Sequence, residues 1–263
     1  MIKKLLKKLK VVNDTDLNNA ERFIAHKKNL ENKEMLKSCY EDFYKKILKL
    51  EKKYSKEKGK VRIELGSGVG FFKRFDESII TSDVVYNRFT DKIIDADNLP
   101  FEKNSIDSIF GIFCFHHFQD QTNFLKNLEE KLKPGGLCIL IEPYYGPLAS
   151  MIYKRIHESE YFDINEDFNF KPKNKTAMEK ANQALSYIYF IKNKDIFERK
   201  FSQLSIKEEF VFNNYLRFLF SGGLNFKKIL PDFLTIILKI LEKILSPFRS
   251  FLGIHHLIVI KKD

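Results

Sequence analysis

The chain has 263 residues, with 46 Lys and Arg against 35 Asp and Glu for a formal charge of +11, and 44% of its residues are hydrophobic. That length supports one elaborated domain with a good core, and no uninterrupted apolar run reaches the roughly 18–20 residues a spanning helix needs. Three cysteines (Cys39, Cys114, Cys138) without C-x-x-C spacing exclude a disulfide scaffold and read as small core residues in a reducing compartment.

The basic excess is nearly all Lys, and two readings of it stay open: a solvated surface, or a basic face toward anionic lipid or nucleic acid. Lysines run through Met1–Lys10 with no apolar stretch of signal-peptide type, so the expected location is the cytoplasm. In the same segment Ile2, Leu5, Leu6 and Leu9 recur at helical spacing, the pattern of a short basic amphipathic helix. It fits a membrane-surface anchor or a helix packed on its own domain. Asn13–Asn19 is a polar break. Ala20–Lys58 is helical in pattern, with Phe43, Ile47 and Leu50 on one stripe and Glu51–Lys60 as a solvated charged end.

Val61, Ile63 and Leu65 then read as a short buried strand, stopped by Gly66, Ser67, Gly68 and Gly70 and followed from Phe71 by the apolar spacing of a helix start. A strand that ends in a glycine turn before a helix brings bare backbone N–H groups to a ligand. A dinucleotide fingerprint needs glycine where Phe71 stands, and a phosphate-binding Walker loop needs a Gly-Lys-Ser/Thr ending that is missing. What stands here is Glu64, Gly66, Gly68 and Gly70. Ser78–Val85 reads as a second strand ending at Asp83, 17 residues after Gly66, where an acid can hold a ribose diol. Lys92–Phe101 holds a third strand and Asp95-Ala96-Asp97-Asn98-Leu99-Pro100-Phe101. Asn104–Phe118 holds a fourth strand ending in Phe115-His116-His117-Phe118. Gln121–Leu132 is a helix, and Lys133-Pro134-Gly135-Gly136 is the turn into a fifth strand, Leu137–Glu142.

Taken in order over residues 61–142, these motifs resemble the class I S-adenosylmethionine-dependent methyltransferases, in their small-molecule subgroup. The resemblance implies an α/β fold: a Rossmann-like, mostly parallel seven-stranded sheet with helices on both faces, closed by Ile206–Phe212 and His256–Lys261. It implies S-adenosyl-L-methionine as cofactor, held by Glu64, Gly66, Ser67, Gly68, Gly70, Asp83, Asp95 and Ala96, with Phe115 and His116 at the wall of the site. The chain departs from the family between Asp83 and Asp91, which is too short for a crossover helix. The organisation expected is one elaborated domain: N-terminal helices over 1–60, the cofactor core over 61–142, a lid over 143–203, and the last two strands over 204–263 with an inserted amphipathic segment. Both insertions leave from strand ends on the ligand edge, so both can cover the cofactor.

His117, His157 and Glu142 are the candidate catalytic bases, and Asn182 and Gln183 can bind a polar acceptor or cap local structure. No metal site is expected, because His116-His117 and His255-His256 are adjacent pairs with no Cys or His spacing to join them. Asp232–Leu245 has Asp232, Thr235, Lys239, Glu242 and Lys243 on one face and apolar residues elsewhere. Burial in the lid is the first reading of that segment and peripheral membrane contact, together with 1–10, the second. FHHF, the Glu-Pro start of the lid, ANQAL and SGG further resemble bacterial enzymes of cell-surface polysaccharide synthesis. That resemblance implies methyl transfer to a small or lipid-linked acceptor, a sugar hydroxyl of a glycan precursor. The alternatives are an RNA methyltransferase and a cofactor-binding scaffold without turnover. A DNA amino-methyltransferase is not expected, since Cys114-Phe115-His116-His117 stands where those carry Asp/Asn-Pro-Pro-Tyr/Phe.

Overall fold

The computed structural model describes residues 8–12, 20–55, 59–156, 160–168 and 181–263. Most of the amphipathic Met1–Lys10 pattern, the 13–19 break and His157 lie outside them. Seven strands form one sheet: β1 (Arg62–Leu65), β2 (Ile80–Asp83), β3 (Lys92–Ile93), β4 (Ile106–Ile112), β5 (Leu132–Pro143), β6 (Leu204–Val211) and β7 (His255–Lys262). Their order is β3-β2-β1-β4-β5-β7-β6. The first five are parallel, and β7 runs antiparallel to both β5 and β6. This is the expected Rossmann-like sheet. Its order reverses at β1/β4, and in open α/β sheets such a switch point opens a crevice beyond the strand C-termini.

The helices depart from expectation in ways that shape the site. The predicted helix 20–58 is two, α1 (Ala20–Asn32) and α2 (Glu34–Tyr54), broken at Lys33. Lys33 is buried, and its ammonium donates to the Gly223 and Phe226 carbonyls. Glu51 is not part of a solvated end. It is buried against Arg62, whose guanidinium also reaches Asp76 and Ser78. The helix expected after Phe71 is a single 3-10 turn, Phe71–Arg74, and no helix joins β2 to β3. α2 covers that face of the sheet instead: Phe43, Ile47 and Leu50 pack with Phe72, Phe110, Ile139, Ile141 and Val259. A helix supplied from the N-terminus therefore does what a crossover helix would do.

α3 (Gln121–Lys131) is capped by the Asp120 side chain, which accepts from the Asn123 N–H. Lys133–Gly136 is not a turn outside the strand. It lies within β5, where the pairing to β4 jumps from Ile106–Leu132 to Ser108–Leu137.

After β5 come α4 (Pro147–Ile156), α5 (Leu185–Tyr187) with a π turn at Ile188–Lys192, and α6 (Lys194–Lys200). Their aromatic residues, among them Tyr153, Tyr189, Phe190, Phe197 and Phe201, join the larger core with Phe115 and Phe124. After β6 come α7 (Tyr215–Ser221), α8 (Thr235–Ile244) and α9 (Arg249–Leu252). α8 corrects the first reading of its segment. Thr235, Leu238 and Glu242 are its buried face, while Phe233 is 77% and Ile236 70% exposed. The reason is an ion pair: Glu242 accepts from the Arg217 N–H at 2.9 Å and from its Nε at 2.7 Å, and Arg217 also reaches Ser38 and Asp42. The helix docks by its polar side.

Candidate active site

The glycine turn lies at the C-terminal end of β1. Gly66, Gly68 and Gly70 have φ of 60°, 55° and 62°, the left-handed region in which only glycine is unstrained. Two of the three are also closely packed: a Cβ on Gly66 would meet Cys114 Cβ at 2.7 Å, and one on Gly70 the Phe89 carbonyl at 2.2 Å. At Gly68 a Cβ would meet nothing within 4 Å, so that backbone faces open space. Asp83, at the tip of β2, accepts from the Gly68 N–H at 3.0 Å and the Val85 N–H at 3.1 Å, and burial raises its pKa. Ser67 is committed to the loop itself, donating to the Glu64 carbonyl and accepting from the Ser82 N–H.

Glu64 is fully buried in β1, and its Oε1 accepts from the Tyr44 hydroxyl at 3.0 Å. Its Oε2 is buried without a hydrogen-bond partner among the described residues. Burial pushes its pKa up to about 8. These observations fit S-adenosylmethionine. An open glycine backbone can take the methionyl part, a strand-tip carboxylate can take a diol, and the Glu64 carboxyl, once ionised, can take a cationic partner. Asp95 is exposed on the loop after β3, where Oδ1 accepts from the Asp97 N–H, and Ala96 is buried next to it.

The second half of the site forms at the tip of β4. Phe113 has a φ of 54°, unusual for a bulky residue, and is held there by ring contacts with Phe43, Phe218 and His255. The chain then turns through Cys114, which packs on Gly66, into the 3-10 turn Phe115–His117. Glu142, expected to face an acceptor, is instead wholly buried beneath this turn. It accepts from the Cys114 and Phe115 N–H groups at 3.0 and 2.9 Å and contacts His116 Nδ1 at 2.5 Å. Phe115, expected at the wall of the cofactor site, has its ring enclosed by Phe118, Phe124, Tyr189 and Phe190.

Glu160, from the first insertion, was not singled out in the sequence. Its carboxylate lies 3.5 Å from His116 Nε2 and 3.6 Å from His117 Nε2, and it accepts from Gln183 Nε2. The Gln183 Oε1 is buried without a hydrogen-bond partner among the described residues. Burial alone would lower the His116 pKa, but Glu142 and then Glu160 outweigh it and raise it to about 10, so the imidazolium persists between two carboxylates. The ligand atoms of His116, His117 and Glu160 all lie within 4.8 Å of one another, a set that could hold a metal ion. The expectation of no metal site missed this set because its third member comes from the lid. Asn182, by contrast, serves its own loop, bonded to Asp163, Ala184 and Glu166.

The sheet order, the glycine loop and the strand-tip Asp83 agree with what the resemblance to class I S-adenosylmethionine-dependent methyltransferases implies, and the residues present fit S-adenosylmethionine as cofactor. Residues 77–140 match the family model described as a methyltransferase domain. Over 131 residues the chain is 27% identical to the ubiquinone/menaquinone biosynthesis C-methyltransferase UbiE of Wigglesworthia glossinidia brevipalpis, covering 49% of this chain and 48% of that protein. The chain thus spans about half the length of the curated relative it matches. Among solved structures it is similar to a geranyl diphosphate C-methyltransferase from Streptomyces coelicolor A3(2), at 11% identity and TM-score 0.48, covering 97% of this chain and 90% of that one. It is also similar to a putative methyltransferase in complex with its Trm112 activator from Haloferax volcanii, at 16% identity and TM-score 0.44, covering 78% and 83%. Likenesses this distant do not bear on the acceptor.

Proposed function

We propose that the protein transfers the methyl group of S-adenosylmethionine to a hydroxyl of a small or lipid-linked acceptor, a sugar of a cell-surface glycan precursor being the acceptor class the sequence motifs favour. The observation that carries this reading is adjacency. Gly66 packs on Cys114, so the donor loop and the His116–His117–Glu160 cluster share one edge of the sheet. The bound cofactor supplies an electrophilic methyl group. The protein's own task is then to align the acceptor oxygen and to take its proton.

In this reading His117 takes the hydroxyl proton as the oxygen–methyl bond forms, and Glu160, 3.6 Å from its Nε2, stabilises the imidazolium produced. His116, already cationic, is held by Glu142 and keeps Glu160 in place as a positioning residue. Gln183 Oε1 is placed to accept from a second acceptor hydroxyl.

The test is transfer of labelled methyl from S-adenosylmethionine to glycan-precursor and lipid fractions, compared between the parent and His117→Gln. Loss of a general base lowers turnover about 10²- to 10⁴-fold, with donor affinity unchanged. Equal turnover in the variant contradicts the assignment of His117. A methyl found on carbon contradicts the hydroxyl acceptor, and turnover lost on chelation and restored by a divalent ion assigns the cluster to a metal.

A further inference from the structure

α8 and the segment around it carry an apolar surface that is exposed among the described residues. Phe233, Ile236, Ile240, Ile244, Phe248 and Phe251 are all exposed within 19 residues. Scattered apolar side chains on a surface are ordinary, but a contiguous set on one helix and its continuation marks an interaction site. This set is not a misplaced core. The helix is fixed to α2 and α7 through the buried Arg217–Glu242 pair, and that attachment by the polar side is what turns the apolar side outward.

Charge selects the occupant. Lys227, Lys239, Lys243 and Arg249 are exposed on the same segment. Its two acids are both engaged, Asp232 with Lys228 at 2.5 Å and Glu242 in the buried pair with Arg217. A rim of one sign around an apolar centre would set like charges against each other if two copies met face to face. It complements an anionic surface whose interior accepts apolar side chains.

The N-terminal segment adds to the same place. The Val11 N–H donates to the Asn225 carbonyl at 2.8 Å and the Lys227 N–H to the Leu9 carbonyl at 2.7 Å. Residues 8–12, which follow a lysine-rich sequence, are therefore fastened to the strip of chain that leads into α8. The strip and the helix lie between the end of β6 and the start of β7, on the sheet edge that carries Glu142 and the donor loop.

We infer that this face is a peripheral membrane-docking surface, in which the exposed apolar side chains Phe233, Ile236, Ile240, Ile244, Phe248 and Phe251 enter the interface of an anionic bilayer while Lys227, Lys239, Lys243 and Arg249 contact its headgroups. Docking there would present the active-site edge to the membrane plane. The inference does not depend on the acceptor, because it concerns binding in the absence of any substrate.

The experiment is sedimentation of the full chain with phosphatidylcholine vesicles, with and without one quarter phosphatidylglycerol, at low and at 0.5 M salt. The parent is expected to co-sediment with the anionic vesicles at low salt and to be largely released by salt. Ile240→Asp with Phe248→Ser, both at exposed positions, is expected to lower the bound fraction at least about tenfold, and Lys239→Glu with Lys243→Glu to lower it by a similar factor. Unchanged S-adenosylmethionine affinity verifies that each variant is folded. Failure of the parent to bind anionic vesicles overturns the proposal, as does equal binding by the Ile240→Asp/Phe248→Ser variant. A parent that is dimeric in solution, made monomeric by that variant and indifferent to vesicles, overturns it in favour of self-association.

Discussion

At the scale of single residues, the candidate site is built around a few groups whose surroundings are chemically incomplete. Gly68 faces open space, so a side chain there would project toward a ligand bound at the turn and not into the protein. Gly68→Val is expected to remove donor binding, at a stability cost set by its positive φ of about 1–2 kcal/mol; calorimetry with thermal denaturation separates the two effects. Glu64 is the second such group. If its orphaned Oε2 holds the donor's cationic end, affinity rises as pH passes through about 8, where the carboxylate ionises. Glu64→Gln is expected to weaken donor binding and flatten that pH dependence, while the free protein at pH 8 melts no lower than the parent. A variant that binds as well as the parent at pH 9 removes Glu64 from the cofactor site. The glycine turn and the strand-tip Asp83 beside it were legible because glycine spacing and a strand-end acid are local patterns. Glu160 was not legible. Its role arises only when the first insertion folds back onto the β4 tip, a contact that leaves no spacing in the sequence.

At the scale of elements, two departures from the expected helices have one origin in packing. The chain between β1 and β2 is too short to cover the sheet, so α2 supplies Phe43, Ile47 and Leu50 from before the core. Phe43 also meets Phe113 and Phe212 at ring-centroid distances of 5.8 and 4.7 Å, which links this helix to the strained turn that aims His116 and His117. Phe43→Ala should therefore destabilise the protein by about 3–5 kcal/mol, as loss of a fully enclosed ring does, and lower turnover in what remains folded. Chemical denaturation measures the first effect. α8 is the converse case. Periodicity revealed its two faces, but not which one the body would take, because a buried Arg217–Glu242 pair outweighed the usual rule of apolar side inward. Arg217→Ala leaves Glu242 buried and unpaired, with an expected loss of about 3–5 kcal/mol. A loss below about 1 kcal/mol would mean that the helix is not held by this pair.

At the scale of the whole molecule, the buried charges near the site predict how the fold responds to pH. Glu64 and His116 both have folded-state pKa values above their ordinary ones, at about 8 and about 10. Each therefore favours the folded state while protonated, and that contribution is lost as pH rises, from about 4.5 to 8 for Glu64 and from about 6.5 to 10 for His116. The melting temperature of the free protein is expected to fall between pH 6 and pH 9, and a flat or rising profile would contradict the buried placement of these groups. The sheet itself was legible through its five parallel strands because hydrophobic runs and glycine turns mark them independently. The use of its ligand edge was not, since that depends on two insertions and an outward-facing helix. The most direct test of the account is calorimetric titration of the purified protein with S-adenosylmethionine at pH 8.5, alongside Gly68→Val. Saturable one-to-one binding by the parent and none by a folded Gly68→Val is the result the account predicts. Absence of binding by the parent, or equal affinity in the variant, would contradict it.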